Sequence, residues 1–290
     1  MSVANALDRT PAPEDRWDNA SSAGLSSLDA LVYRSNLLGS DRALANQGGG
    51  NTSSKGTAVD HAGREQRVLW VKGSGTDLAS ITPAGFAALR LDEINPLRRR
   101  EEMDDAAMVG FLRRCALDPD QPRPSIETLL HAFIAAPQVD HTHPDAVIAL
   151  TSSPNGRKLA EETFGEEAVW LDYQRPGFDM SRRIAELLDA NPLARAVLLE
   201  KHGLVTWGIR AKKATGARSS SSLGPRTRSK RPAPGASGWE AQSSQSAASK
   251  TLGSSSWRHC LHSAEHCWPT RTASCSKSTV VSRRSHSLLQ

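Results

Sequence analysis

The stretch VDHTHPDAV, residues 139–147, places two histidines, His141 and His143, one residue apart with a proline directly behind. A neutral imidazole is both a metal ligand and a proton carrier near neutral pH. In a strand, residues i and i+2 point to the same face, so the two rings can share one ligand. Two readings stay open for the pair alone: half of a metal site, or two neighbouring histidines with no joint role. Three other stretches carry residues of the same kind. His202, in LLEKHGLVTWG, stands at the end of an apolar strand beside Gly203, which puts an imidazole at a sheet rim; a satisfied structural histidine fits the same position. In RPSIETLLHAFIAAP, Glu127 and His131 are one helical turn apart, within about 40° of each other on the edge of an apolar face. A carboxylate there can act as a general base, or simply be solvated. NQGGGNTSS and KGSGTD are glycine-rich turns with hydroxyls, whose backbone N–H groups can form an anion nest. Neither matches the dinucleotide fingerprint or the Walker lysine pattern.

The elements that must position these residues follow from periodicity and punctuation. LDALVYRSNLLGSD, residues 28–41, has apolar residues at helical spacing and predicts a helix stopped by Gly39. The segment from GGGNTSS to WVKGSG reads as two strands joined by a turn at DHAGRE. TPAGFAALRLDEI predicts a short helix with a threonine cap, then a strand; DDAAMVGFLRRCALD fits a helix or a long excursion. Ser125 is the expected N-cap of the helix carrying Glu127, and Pro144 the first residue of a helix over 144–151. A helix near GRKLAEETFG, a strand AVWLDY, a helix MSRRIAELLDA and the strand ARAVLLEKHG, followed by LVTWG, complete the body. Helices alternate with strands, but the hairpins are antiparallel. The expected fold is therefore a layered α/β/α domain with a mixed sheet, not a doubly wound parallel one.

Composition divides the chain of 290 residues into a body and a tail. The overall charge of +5 conceals the division, because residues 211–290 hold 13 Lys+Arg and 2 Asp+Glu, leaving 23 basic and 29 acidic residues in 1–210. A mildly acidic body gives no reason to expect nucleic-acid binding despite a pI of 9.2. The absence of an 18-residue apolar run argues against a membrane span, and the N-terminus has no export pattern. Only one of the four cysteines, Cys115, lies in the body, which suits a reducing cytoplasm. Residues 1–25 are polar and expected to be loose. The tail has 20 serines in 80 positions and no Asp, Asn, Phe, Ile, Met or Tyr, so no core can form from it. It nevertheless carries Trp239, Trp257 and Trp268 and three cysteines, a content that reads as a shifted frame of a GC-rich gene more readily than as a basic disordered tail. The cluster His259, Cys260, His262, His266 and Cys267 fits no standard zinc spacing.

The order of motifs is the informative part. YRSNLLGSD, NQGGGNTSSK, WVKGSGTDL, SIE, DHTHPDAVIALTSS, YQRPGFDMS and LLEKHGLVTWG together resemble the class II aldolase/adducin family. The run from about 28 to 208 is most similar to the aldolase half of bifunctional rhamnulose-1-phosphate aldolase/short-chain dehydrogenases. The resemblance implies a three-layer α/β/α domain over 26–208 that is C-terminally incomplete, and one zinc ion held by His141, His143 and His202. It also implies Glu127 as the catalytic carboxylate, and Gly50, Asn51, Ser74, Gly75 and Ser125 around the substrate phosphate. The implied reaction is zinc-dependent retro-aldol cleavage of a ketose 1-phosphate, L-rhamnulose 1-phosphate, by a cytoplasmic homo-oligomer. With the helices that complete such a domain unrecognisable after 208, the triad is expected to be poorly buttressed, with low stability and weak or no activity. A sugar-phosphate epimerase, another aldolase of the superfamily, and a non-catalytic adducin-like interaction module are the alternatives.

Overall fold

The computed structural model describes residues 16–208, so the expectations for 209–290, including the histidine–cysteine cluster, and for residues 1–15 of the N-terminal stretch lie outside the described residues. Seven strands form one sheet: β1 (Asn51–Val59), β2 (Glu65–Lys72), β3 (Phe86–Arg90), β4 (Gln138–Thr142), β5 (Ala168–Leu171), β6 (Ala196–Leu199) and β7 (Gly203–Gly208). Their spatial order is β3-β2-β1-β4-β7-β6-β5, and only β5 and β6 run parallel. The helices are α1 (Ser27–Ser40), α2 (Leu91–Ile94), α3 (Asp105–Arg114), α4 (Thr128–Phe133), α5 (Asp145–Thr151), α6 (Gly156–Phe164) and α7 (Phe178–Ala190).

Alternation along the strands sorts the helices into two layers. Leu69, Val71, Leu89, Val139, Val197, Leu199 and Val205 face one side, where residues of α3, α4 and α7 such as Met108, Leu129, Leu130 and Ile184 cover them. Ala196, Leu198 and Leu204 face the other side, against Val147 and Leu150 of α5 and Ala160 and Phe164 of α6. Leu31 of α1 covers the β3 end of that side with Ile81 and Phe86. The expected three-layer α/β/α architecture with a largely antiparallel sheet is the observed one.

Several local expectations are corrected. Gly39 does not stop α1, which runs from the Ser26 cap to Ser40. Its missing side chain serves packing instead, since a Cβ there would lie 2.1 Å from the Ala79 nitrogen. Thr82 makes no side-chain cap, and TPAG forms one 3-10 turn, Pro83–Gly85, before β3. DDAAMVGFLRRCALD resolves as the helix α3, capped by Asp104. Pro144 is the N-cap of α5 rather than its first residue, with an extended ψ of 128°. Ser125 is not the cap of α4 either. The helix begins later, at Thr128, with Glu127 in the cap position, and Ser125 Oγ accepts from the Glu127 N–H at 3.2 Å. Glu127 thus lies outside the helix on which its helical-wheel position was argued.

α1 is fixed to the sheet by one buried cation. Arg34, 2% exposed, donates from Nε to Asp140 Oδ1 at 2.9 Å and from Nη2 to the Ser53 carbonyl at 2.8 Å, and also to Gln138. Asp140 belongs to β4, so this pair braces the strand that carries His141. Burial raises the Asp140 carboxyl above its usual range, and the Arg34 guanidinium opposes that rise.

Candidate metal centre

The register of β1 on β4 pairs Asn51 with His141, so both side chains point to the face under α4. His141 sits in β4, while His143 is one residue beyond the strand, still in phase with it. His202 occupies the tight turn between β6 and β7, after Lys201, whose φ of 55° is the single positive value among described non-glycine residues. The three rings converge: Nε2 of His141 is 3.0 Å from Nε2 of His143 and 3.3 Å from Nε2 of His202. They are a group whose ligand atoms all lie within 4.8 Å of one another.

The protonation pattern follows from the partners. His141 Nδ1 lies 3.1 Å from the Leu204 carbonyl, which only accepts, so Nδ1 carries a hydrogen and Nε2 is the atom turned toward the other two rings. Burial pushes His143 down to about 3, reinforced by His141 and His202, and burial also lowers His202. Neutral imidazoles facing one another with lone pairs repel unless a cation lies between them. The nearest carboxylate repeats the pattern. Glu127 Oε1 is buried without a hydrogen-bond donor, 3.4 Å from His141 Nε2 and 3.3 Å from His202 Nε2. Four acceptor atoms therefore aim at one spot, and the donor set fits a divalent ion. Burial by itself would raise the Glu127 carboxyl, but positive charge at His141 and His202, which a cation held between neutral rings would equally supply, and the Asn51 hydrogen bond outweigh it and hold it below its ordinary value.

Gly203 is what lets the rings meet. A Cβ there would stand 2.4 Å from the Thr142 carbonyl oxygen, 2.9 Å from His143 Cδ2 and 3.3 Å from His141 Cε1. Of the other expected residues, Gly50, Asn51 and Ser125 lie against the triad and Glu127, a Cβ on Gly50 standing 2.7 Å from the His141 carbonyl oxygen, while Ser74 and Gly75 make no hydrogen bond to them. Asn51 Nδ2 donates to Glu127 Oε2 at 2.6 Å and approaches Ser125 Oγ at 3.3 Å, which ties the Asn51 and Ser125 stretches together. Gly50 and Gly75 are turn residues with φ of 68° and 86°. Ser74 is exposed, and its backbone N–H is used by the Arg123 carbonyl at 2.8 Å, leaving its hydroxyl.

Two residues escaped the sequence reading as site members. Lys72, at the end of β2, is only 4% exposed, and its ammonium makes one long hydrogen bond, 3.3 Å to the Gly48 carbonyl, with no ion pair among the described residues. Burial lowers its pKa, against the pull of Asp77 and Glu127. WVKGSG puts this lysine at the end of an apolar strand just before a glycine turn, a pattern that does not single it out. His131 is fully buried, between Ser53 and Asn51, although its spacing from Glu127 suggested only a helix edge.

Residues 29–218 match the model of the class II aldolase and adducin N-terminal domain. The chain belongs to this family. The match runs ten residues past Gly208, where the recognisable motifs end. An uncharacterized oxidoreductase of Bacillus subtilis, YuxG, is 54% identical over 193 residues, covering 66% of this chain and 28% of the relative. Methylthioribulose-1-phosphate dehydratase of Pseudomonas syringae is 32% identical over 134 residues, covering 37% of this chain and 61% of the relative. The chain thus spans about a quarter of one curated relative's length and under two thirds of the other's. Among solved structures, the N-terminal class II aldolase domain of a conserved Thermoplasma acidophilum protein matches with a TM-score of 0.64 and 37% identity, covering 69% of this chain and 92% of that one. No helix among the described residues is long and apolar enough to cross a membrane.

Proposed function

We propose that this chain is the aldolase unit of a zinc-dependent enzyme that cleaves a ketose 1-phosphate, L-rhamnulose 1-phosphate, to dihydroxyacetone phosphate and L-lactaldehyde. One observation carries the reading: three imidazole Nε2 atoms and an orphaned Glu127 oxygen converge on one spot beside glycine-rich turns. His141, His143 and His202 would hold the zinc ion. When bound, the ion supplies Lewis acidity for the negative charge that develops across C2 and C3 of the ketose.

The chain's own residues do the rest. Cleavage breaks the C3–C4 bond and leaves its electron pair on C3; the C4 hydroxyl gives its proton to water as the aldehyde forms, and C3 takes one back from water through Glu127, so no net proton is released. Glu127 holds the proton exchanged at C3, and its lowered pKa keeps it a carboxylate ready to take that proton in the condensation direction. Gly50, Asn51, Ser74, Gly75 and Ser125 form the phosphate end of the cleft, with hydroxyls and turn N–H groups as donors. Lys72 supplies the cation there, because a buried ammonium with one weak acceptor is matched by a dianionic ester. Anchoring the non-reacting phosphate positions C3 and C4 against Glu127.

That methylthioribulose-1-phosphate is itself a ketose 1-phosphate supports the substrate class, and the oxidoreductase name of the longer YuxG is consistent with an aldolase unit joined to a second activity. The intact triad disfavours a non-catalytic adducin-like module. The resemblance also predicts a homo-oligomer, which light scattering checks. The deciding experiment incubates zinc-loaded chain with L-rhamnulose 1-phosphate and, separately, with its C4 epimer L-fuculose 1-phosphate. Chelator-sensitive release of dihydroxyacetone phosphate, faster from the first, is expected. An isomeric sugar phosphate in its place would establish the epimerase alternative, and no turnover of either would contradict the aldolase reading.

A further inference from the structure

Asn51 stands where the family resemblance puts a phosphate ligand, yet its side chain is fully occupied within the protein. Its amide nitrogen donates to Glu127 Oε2 at 2.6 Å, and its carbonyl oxygen faces His131 Nε2. A carboxylate only accepts, so the amide nitrogen must be the atom turned toward Glu127. The amide oxygen is then turned toward His131, and Nε2 of that ring must carry a hydrogen. His131 is fully buried, and burial pushes it down to about 3, so it has one hydrogen to place. With Nε2 protonated, Nδ1 accepts from the Ser53 hydroxyl at 2.8 Å. Every link in the chain now has one direction: Ser53 to His131, His131 to Asn51, Asn51 to Glu127.

We propose that His131 is a positioning residue, whose Nε2 hydrogen fixes the Asn51 amide so that Asn51 grips Oε2 of Glu127 and leaves Oε1 aimed at the three histidines. Without that donor the amide is free to flip, and a flipped amide sets its oxygen against the carboxylate. Glu127 then loses the one short hydrogen bond that orients it. The strands make the relay rigid. Ser53 and Asn51 are two apart on β1 and share a face, and Asn51 pairs with His141 across the ladder. Asn51 thus contributes its side chain to the carboxylate, and any contact to a phosphate comes from its backbone.

The first arm of the test does not depend on activity. Long-range proton–nitrogen spectra of the full chain, labelled at histidine nitrogens, report each ring's tautomer, with His131 assigned by its loss in His131→Gln. The expected result is a neutral ring at neutral pH with hydrogen on Nε2 and none on Nδ1. A hydrogen on Nδ1 alone, or an imidazolium, overturns the relay. The kinetic arm rests on the retro-aldolase reading. A glutamine amide nitrogen can occupy the Nε2 position and donate, whereas leucine cannot. His131→Gln should keep kcat within about 3-fold, and His131→Leu should lose about 30-fold or more in kcat, with KM and zinc content near the parent's. Equal losses in the two variants, or a parental kcat in His131→Leu, would refute the positioning role. If the leucine variant does not fold, the spectra and the glutamine variant decide. A parent without aldolase activity would sink the proposed reaction and leave the relay to the spectra.

Discussion

Gly203→Ala puts the geometry of the metal centre under direct strain. The new Cβ would start 2.4 Å from the Thr142 carbonyl oxygen, a backbone atom of β4, and 2.9 Å from His143 Cδ2. Reaching van der Waals separation needs a displacement of about 1 Å. β4 and β7 are held in register by Thr142 opposite Leu204, and the Leu204 carbonyl orients the His141 ring, so the strain goes into the ligands themselves. A zinc shell tolerates errors of about 0.2 Å in ligand position. The stability cost should be that of an overpacked site, about 1–3 kcal/mol. Zinc affinity should fall further, about 10–100-fold, as for disrupted ligand support. Competition against a chromophoric chelator measures the affinity, and thermal melts of metal-free protein measure the stability. Gly63→Ala is the control: its φ is 77° with open space around the Cβ, so it should lose about 1–2 kcal/mol and no metal affinity. Parental zinc affinity in Gly203→Ala would refute the argument that this glycine lets the three rings converge.

Three further variants probe separate parts of the site. Glu127→Gln should keep its zinc and its melting temperature while losing at least about 100-fold in kcat, and near-normal turnover would exclude it from proton transfer. Lys72→Met removes a charged donor worth about 1.5–3 kcal/mol, so KM for the sugar phosphate should rise about 10–100-fold with kcat little changed; an unchanged KM would remove it from the phosphate end. Arg34→Met leaves the buried Asp140 without its cation and should cost roughly 3–5 kcal/mol in urea unfolding, a loss below about 1 kcal/mol being incompatible with the buried pair described.

The layered fold was legible because alternation is clear in the strands and helical spacing is strong in α6 and α7. The histidine triad needed the order of motifs, since no local spacing says that the turn holding His202 folds back onto β4. What stayed hidden was set by pairing. Only the register of Asn51 on His141 shows that the asparagine lies under α4, where its amide meets Glu127 and His131. The start of α4 was misread because SIET carries a serine of the right type for a cap, while the backbone makes a further turn before Thr128. Gly39 was read as a helix stop for want of knowing that the backbone at Ala79 packs on it. Nothing in the sequence singles out Lys72, because burial of an ammonium is a tertiary property.

The central claim is that His141, His143 and His202 together hold one metal ion, and elemental analysis of purified protein tests it most directly. The parent chain should carry one zinc per chain, and His141→Ala, His143→Ala and His202→Ala should each lose stoichiometric metal while keeping the fold by circular dichroism. If all three single variants retained one zinc per chain, the site would lie elsewhere and the account would be wrong.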